Sequence, residues 1–75
     1  MEMSRITELT QMKVPLGGQE IALQQIDFVE GGMGMLRLRI REGKRFTIFD
    51  LDPLTARNLG STMQQWAESQ PGMQP

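Results

Sequence analysis

The chain carries neither cysteine nor histidine. Its polar chemistry therefore rests on carboxylates, guanidinium and ammonium groups, amides and hydroxyls. Lack of Cys rules out a disulfide or a thiolate centre. Lack of His removes the commonest general base and the commonest zinc and copper ligand. Three constellations remain. Asp50 and Asp52 stand two apart, with Thr55 three residues further on. Arg37, Arg39 and Arg41 recur at period two and lead into Lys44 and Arg45, so five of the eight basic residues fall between positions 37 and 45. Gly31-Gly32-Met33-Gly34 is the densest glycine run.

The string Phe49-Asp50-Leu51-Asp52-Pro53-Leu54-Thr55 resembles the aspartate motif of haloacid-dehalogenase-type phosphatases, in which a strand ends in two aspartates. The resemblance implies Asp50 as nucleophile and Asp52 as general acid, with magnesium nearby. It covers about seven residues and departs from the family where Pro53 and Leu54 replace the usual Gly-Thr. The twenty residues after Thr55 contain no lysine to complete such a site. Asp52 followed by Pro53 has a simpler physical reading. An aspartate accepts backbone N–H groups at a helix N-cap, and proline at the first helical position loses no hydrogen bond. Two carboxylates alone make a poor divalent-cation site. The glycine run lacks the Lys-Ser/Thr ending of a phosphate loop and precedes a strand, so it reads as a hairpin loop. A serine or threonine nucleophile needs an activating base, and none is evident. Glu30, Glu42 and Glu68 read as surface charges. The sequence reading accordingly assigns no catalytic residue, no metal and no cofactor.

The arginine run supports two readings. Three arginines at period two project from one face of a strand. With Phe49 as a stacking platform they make an anion-binding stripe suited to single-stranded nucleic acid. Alternatively they are a solvated face, with Arg37 between Asp27 and Phe49 in cross-strand charge and cation–π pairs. Eight basic against nine acidic residues leave a formal charge of −1, which gives no overall pull toward nucleic acid or an anionic membrane.

The elements that hold these residues follow from the apolar pattern. At 75 residues the chain supports one domain near the lower size limit for a single core. No apolar run approaches the roughly 20 residues of a membrane helix, and Met1-Glu2-Met3-Ser4 does not read as a secretory leader. Cytoplasm is the default expectation. Gly17-Gly18, Gly31-Gly32 and Glu42-Gly43-Lys44 separate runs of strand character, predicting four strands in an antiparallel meander. Closing the turns on those glycines sets Val14 opposite Ile21 and Met12 opposite Leu23. It also sets Phe28 opposite Leu36, Ile26 opposite Leu38, Ile40 opposite Phe46 and Leu38 opposite Ile48. A bulge at Gln24-Gln25 would keep Ile21, Leu23, Ile26 and Phe28 on one face. The other face then carries Asp27, Val29, Arg37, Arg39, Arg41, Thr47, Phe49 and Leu51. Residues 5–11 suit a helical turn or a strand, since Ile6, Leu9 and Met12 are three apart.

From Asp52 the period changes. Ala56, Leu59, Met63, Trp66 and Ala67 recur at helical spacing, predicting a helix from about Pro53 to Glu68. The expected fold is α+β, a four-stranded antiparallel meander with one C-terminal helix packed on one face (ββββα) and Trp66 as its largest anchor. Ala56 and Gly60, four apart, leave room for close approach. The expected domain spans residues 5–68, with loose ends at 1–4 and 69–75.

The functional expectation is a non-catalytic protein-interaction module, a homodimer or an accessory subunit of a larger complex. Its contact surface is expected at Arg37, Arg39, Arg41, Phe49 and Leu51. The alternative is a nucleic-acid-binding module built on Arg37, Arg39, Arg41, Lys44 and Arg45; no membrane partner is expected.

Overall fold

The computed structural model describes residues 4–28 and 31–72. Four strands, β1 (Ser4–Lys13), β2 (Glu20–Phe28), β3 (Met35–Glu42) and β4 (Arg45–Leu51), are followed by one helix, α1 (Pro53–Glu68). The strands pair antiparallel in the order β1-β2-β3-β4 as one open sheet, and the helix packs on it at β3. This is the ββββα architecture expected from the glycine punctuation and the period change at Asp52. Residues 5–11 belong to β1, and Ser4 already begins that strand. Among the residues expected to be loose, 1–3 and 73–75 lie outside the described residues. So do Val29 and Glu30.

The register departs from expectation at every hairpin, and each turn supplies the reason. Pro15 widens the first loop to four residues. The Val14 N–H donates to the Gln19 carbonyl at 2.8 Å, and Gly18, at φ 76°, donates its N–H back to Val14 at 2.7 Å. Met12 thus pairs with Ile21, two residues from the expected partner and on the same face. In the second connection β2 runs on to Phe28 beside β1, while β3 begins only at Met35. Gly31 and Gly32 turn the chain at φ 87° and 93°. Ile26 then pairs with Met35 and Leu23 with Leu38, an odd shift that exchanges faces. The third loop has two residues, Gly43-Lys44, between the paired Glu42 and Arg45. Gly43 at φ 60° followed by a residue of negative φ is the type II′ arrangement that suits a right-twisted hairpin. This moves Phe46 and Ile48 to the arginine side and Phe49 to the side of Leu38.

The bulge falls elsewhere than expected. β2 pairs with β3 without interruption through Gln24 and Gln25, whereas β1 shifts register between Glu8 and Thr10, leaving Leu9 as the extra residue. A bulged residue offsets the alternation of side chains. The three-residue spacing of Ile6, Leu9 and Met12 is therefore the trace of a bulge. It sets Ile6 with Ile26 on one face and Met12 with Ile21 on the other.

The helix begins where its cap residues predict. One Asp52 carboxylate oxygen accepts the N–H groups of Leu54 and Thr55, each at 3.1 Å, and Pro53 stands at the first helical position. At the other end the Ser69 hydroxyl donates to the Trp66 carbonyl at 2.7 Å. The core is slight. Among the described residues only Ala22 and Ile26 are buried apolar side chains. The anchoring role expected of Trp66 is not realised: it is 66% exposed, and no helix residue is buried.

Candidate interaction surfaces

Strict alternation along β2, β3 and β4 gives the sheet two chemically distinct faces. One, the leucine face, carries Ile21, Leu23, Leu36, Leu38, Ile40, Phe49 and Leu51, joined by Met12 from β1. Not one of these eight side chains is buried. The first turn of α1 reaches the end of this face. Pro53 and Ala56 meet Leu9, Gln25, Gly34, Met35 and Leu36 around a groove of about 340 Å³. Beyond it the helical stripe leaves the sheet. Ala56 is half-buried, but Leu59 is 42%, Met63 57% and Trp66 66% exposed. A Cβ built at Gly60 would meet no atom within 4 Å. The close approach allowed by Ala56 and Gly60 is therefore not used within the chain.

The opposite face carries Arg37, Arg39 and Arg41 with Ala22, Gln24, Ile26, Phe46, Ile48 and Asp50. Register decides their partners. Arg37 stands directly opposite Asp50, and its guanidinium donates twice, Nε to Oδ1 at 2.8 Å and Nη2 to Oδ2 at 3.2 Å. This fork geometry fits a carboxylate well. The hydrogen bond from Arg37 holds the Asp50 carboxyl below its ordinary range, and the same bond raises Arg37. Arg41 stands opposite Glu20 and pairs with it at 3.2 Å. The Arg39 guanidinium lies over the Phe46 ring, 4.6 Å from its centroid, a cation–π placement. Beside these residues a groove of about 370 Å³ is lined by Lys13, Glu20, Ala22, Arg39, Arg41 and Phe46, among others.

The five residues expected to form one surface are thus divided. Arg37, Arg39 and Arg41 share a face, while Phe49 and Leu51 lie on the reverse side with the leucines. Arg37 pairs with Asp50 rather than Asp27, and the aromatic partner on the arginine face is Phe46. Asp27 instead accepts from the Gln25 amide at 2.9 Å. Leu36, Leu38 and Ile40 were expected under the helix and are only half-buried. The sequence carried no local signal for this, because side-chain period does not set the path a helix takes after its first turn.

Asp50 and Asp52 are occupied by their neighbours. Hydrogen bonds, first from the Thr55 hydroxyl and then from backbone N–H groups, hold the Asp52 carboxyl below its ordinary range. Such a carboxylate is a helix cap already satisfied by donors. Among the described residues no group of three or more His, Cys, Asp or Glu is placed to hold a metal ion. No helix among them is long and apolar enough to cross a membrane.

No curated protein and no solved structure matches the chain. Residues 3–69 match a family described as one of unknown function, DUF6967, and the chain belongs to that family.

Proposed function

We propose that this chain is a non-catalytic interaction module that buries its apolar surface against a second copy of itself or against a subunit of a larger complex. The observation that carries the reading is the leucine face: eight apolar side chains on one side of a sheet, six half-buried and two, Met12 and Phe49, exposed, with only the first turn of α1 over one end. Soluble monomers rarely leave a contiguous patch of that kind uncovered, and a core of this size gains from a partner. The supporting surface is Leu36, Leu38, Ile40, Phe49 and Leu51, which retains two of the five residues expected from sequence.

The test is solution mass by light scattering across a dilution series, with Phe49→Asp as the variant. A dimeric mass that Phe49→Asp reduces to a monomer supports the reading. A chain that stays monomeric, and that captures the same partners whether residue 49 is Phe or Asp, overturns it.

Nucleic-acid binding is the second reading, favoured by Arg39 and Phe46 beside Lys13. The pairing of Arg37 with Asp50 and of Arg41 with Glu20 weakens it, because both cations already have carboxylate partners. Binding that falls steeply with salt is its signature, and flat titrations with single- and double-stranded probes at low salt eliminate it.

A further inference from the structure

Two apolar surfaces in one chain lack a partner, and they are complementary in kind. The leucine face is a sheet surface with no layer over most of it. The Leu59, Met63 and Trp66 stripe is one side of an amphipathic helix with no strand of the described residues packed against it. We infer that the chain forms a reciprocal dimer in which α1 of each copy lies along the leucine face of the other.

Dimensions support the match. A sixteen-residue helix is about 24 Å long, and the eight residues of β3 span about 26 Å. One helix therefore matches the length of β3, one of the two central strands. Surface area supports it too. The accessible surface is 6383 Å², whereas a compact monomer of this mass exposes about 4,650 Å². The Cα radius of gyration, 14.7 Å, likewise exceeds the value of about 11 Å for a compact chain of this length.

The direction of the helix fits an exchange. Exposure rises from Ala56 through Leu59 and Met63 to Trp66, with Ala67 half-buried beyond it, and the helix meets its own sheet only at β3, so it departs from the sheet as it proceeds. Asp52 is the only residue between β4 and α1, and its extended backbone, at φ −75° and ψ 163°, sets the departure angle. A two-fold arrangement places two helices on two faces and leaves neither surface open, which closes the assembly at two copies. A second copy is favoured over an unrelated partner because this same chain supplies both the sheet and the helix that are lacking.

The inference rests on the proposed self-association, and the test separates the two. The chain has no cysteine, so introduced thiols are unique. Chains carrying only Leu38→Cys are mixed with chains carrying only Met63→Cys, equilibrated, and treated with a short bismaleimide. Ile40→Cys replaces Leu38→Cys if the latter fails to fold by circular dichroism. The expected result is a heterodimer cross-linked between the sheet of one copy and the helix of the other, lost when Phe49→Asp is added to the Leu38→Cys chain. Trp66, the sole tryptophan, should shift its emission to shorter wavelength as concentration rises. A dimeric mass with cross-links only between two sheet cysteines or only between two helix cysteines overturns the exchange and leaves the interaction-module reading standing. A monomer at every concentration overturns the exchange, and so does a cross-link confined to one chain when both cysteines are placed together.

Discussion

At the scale of single residues, the charged groups act chiefly on one another. Asp52 caps the helix, Asp50 neutralises Arg37, and Glu20 pairs with Arg41. Asp50 and Asp52 both have folded pKa values below their ordinary range. The unfolded chain therefore binds more protons than the folded one in the window just below about pH 4. The stabilisation is fully present above that value and is lost as pH falls through the depressed folded values. Urea midpoints should drop between pH 5 and pH 3, and the Asp50→Asn, Asp52→Asn double variant should drop less steeply. An unchanged slope in that variant would show that neither carboxylate carries the effect. Replacing the cap outright, Asp52→Ala, should lower the melting temperature by roughly 5 °C, readable by circular dichroism at 222 nm.

At the scale of elements, the loops decide more than their size suggests. The pairing across the three hairpins differs from expectation by two, three and one residues in turn. A shift of even parity leaves the faces unchanged, while an odd one exchanges them. The two-residue Gly43-Lys44 turn is what separates Phe49 from the arginines. Its Gly43 sits at φ 60°, in open space, so any cost of a side chain there is conformational rather than steric. Gly43→Ala should destabilise the fold by about 1 kcal/mol, measured by urea denaturation. A neutral result would mean that the turn relaxes to another type. The four strands and the helix were legible from glycine spacing and from the change of period at Asp52. The bulge at Leu9 was not, because a three-residue apolar spacing is shared by a bulged strand and a helical turn.

At the scale of the whole molecule, the chain has more apolar surface than its own elements cover. Two buried apolar side chains, Ala22 and Ile26, are a slight core for a sheet of four strands. The leucine face and the exposed helix stripe, with Ile6, Phe46 and Ile48 about half exposed on the arginine face, then set the character of the surface. The proposed association predicts that stability depends on protein concentration, since only the folded form presents the paired surfaces. The melting temperature should rise with concentration in the unmodified chain and stay constant in Phe49→Asp. Parallel behaviour of the two chains would place the association, if any, on another surface.

The sequence by itself determined the number and order of elements, the N-cap at Asp52 and the strand character of the arginine run. These features are local: they depend on turn residues, capping groups and side-chain period within a few positions. Which residues share a face, and which are covered, was decided by tertiary structure. Face assignment depends on loop lengths to within one residue, and an error of one inverts the pairing of every side chain beyond it. Coverage depends on where a helix travels after its first turn. Trp66 belongs to an apolar helical stripe in the sequence, but only the departure of α1 from its own sheet shows that the stripe is uncovered by the described strands.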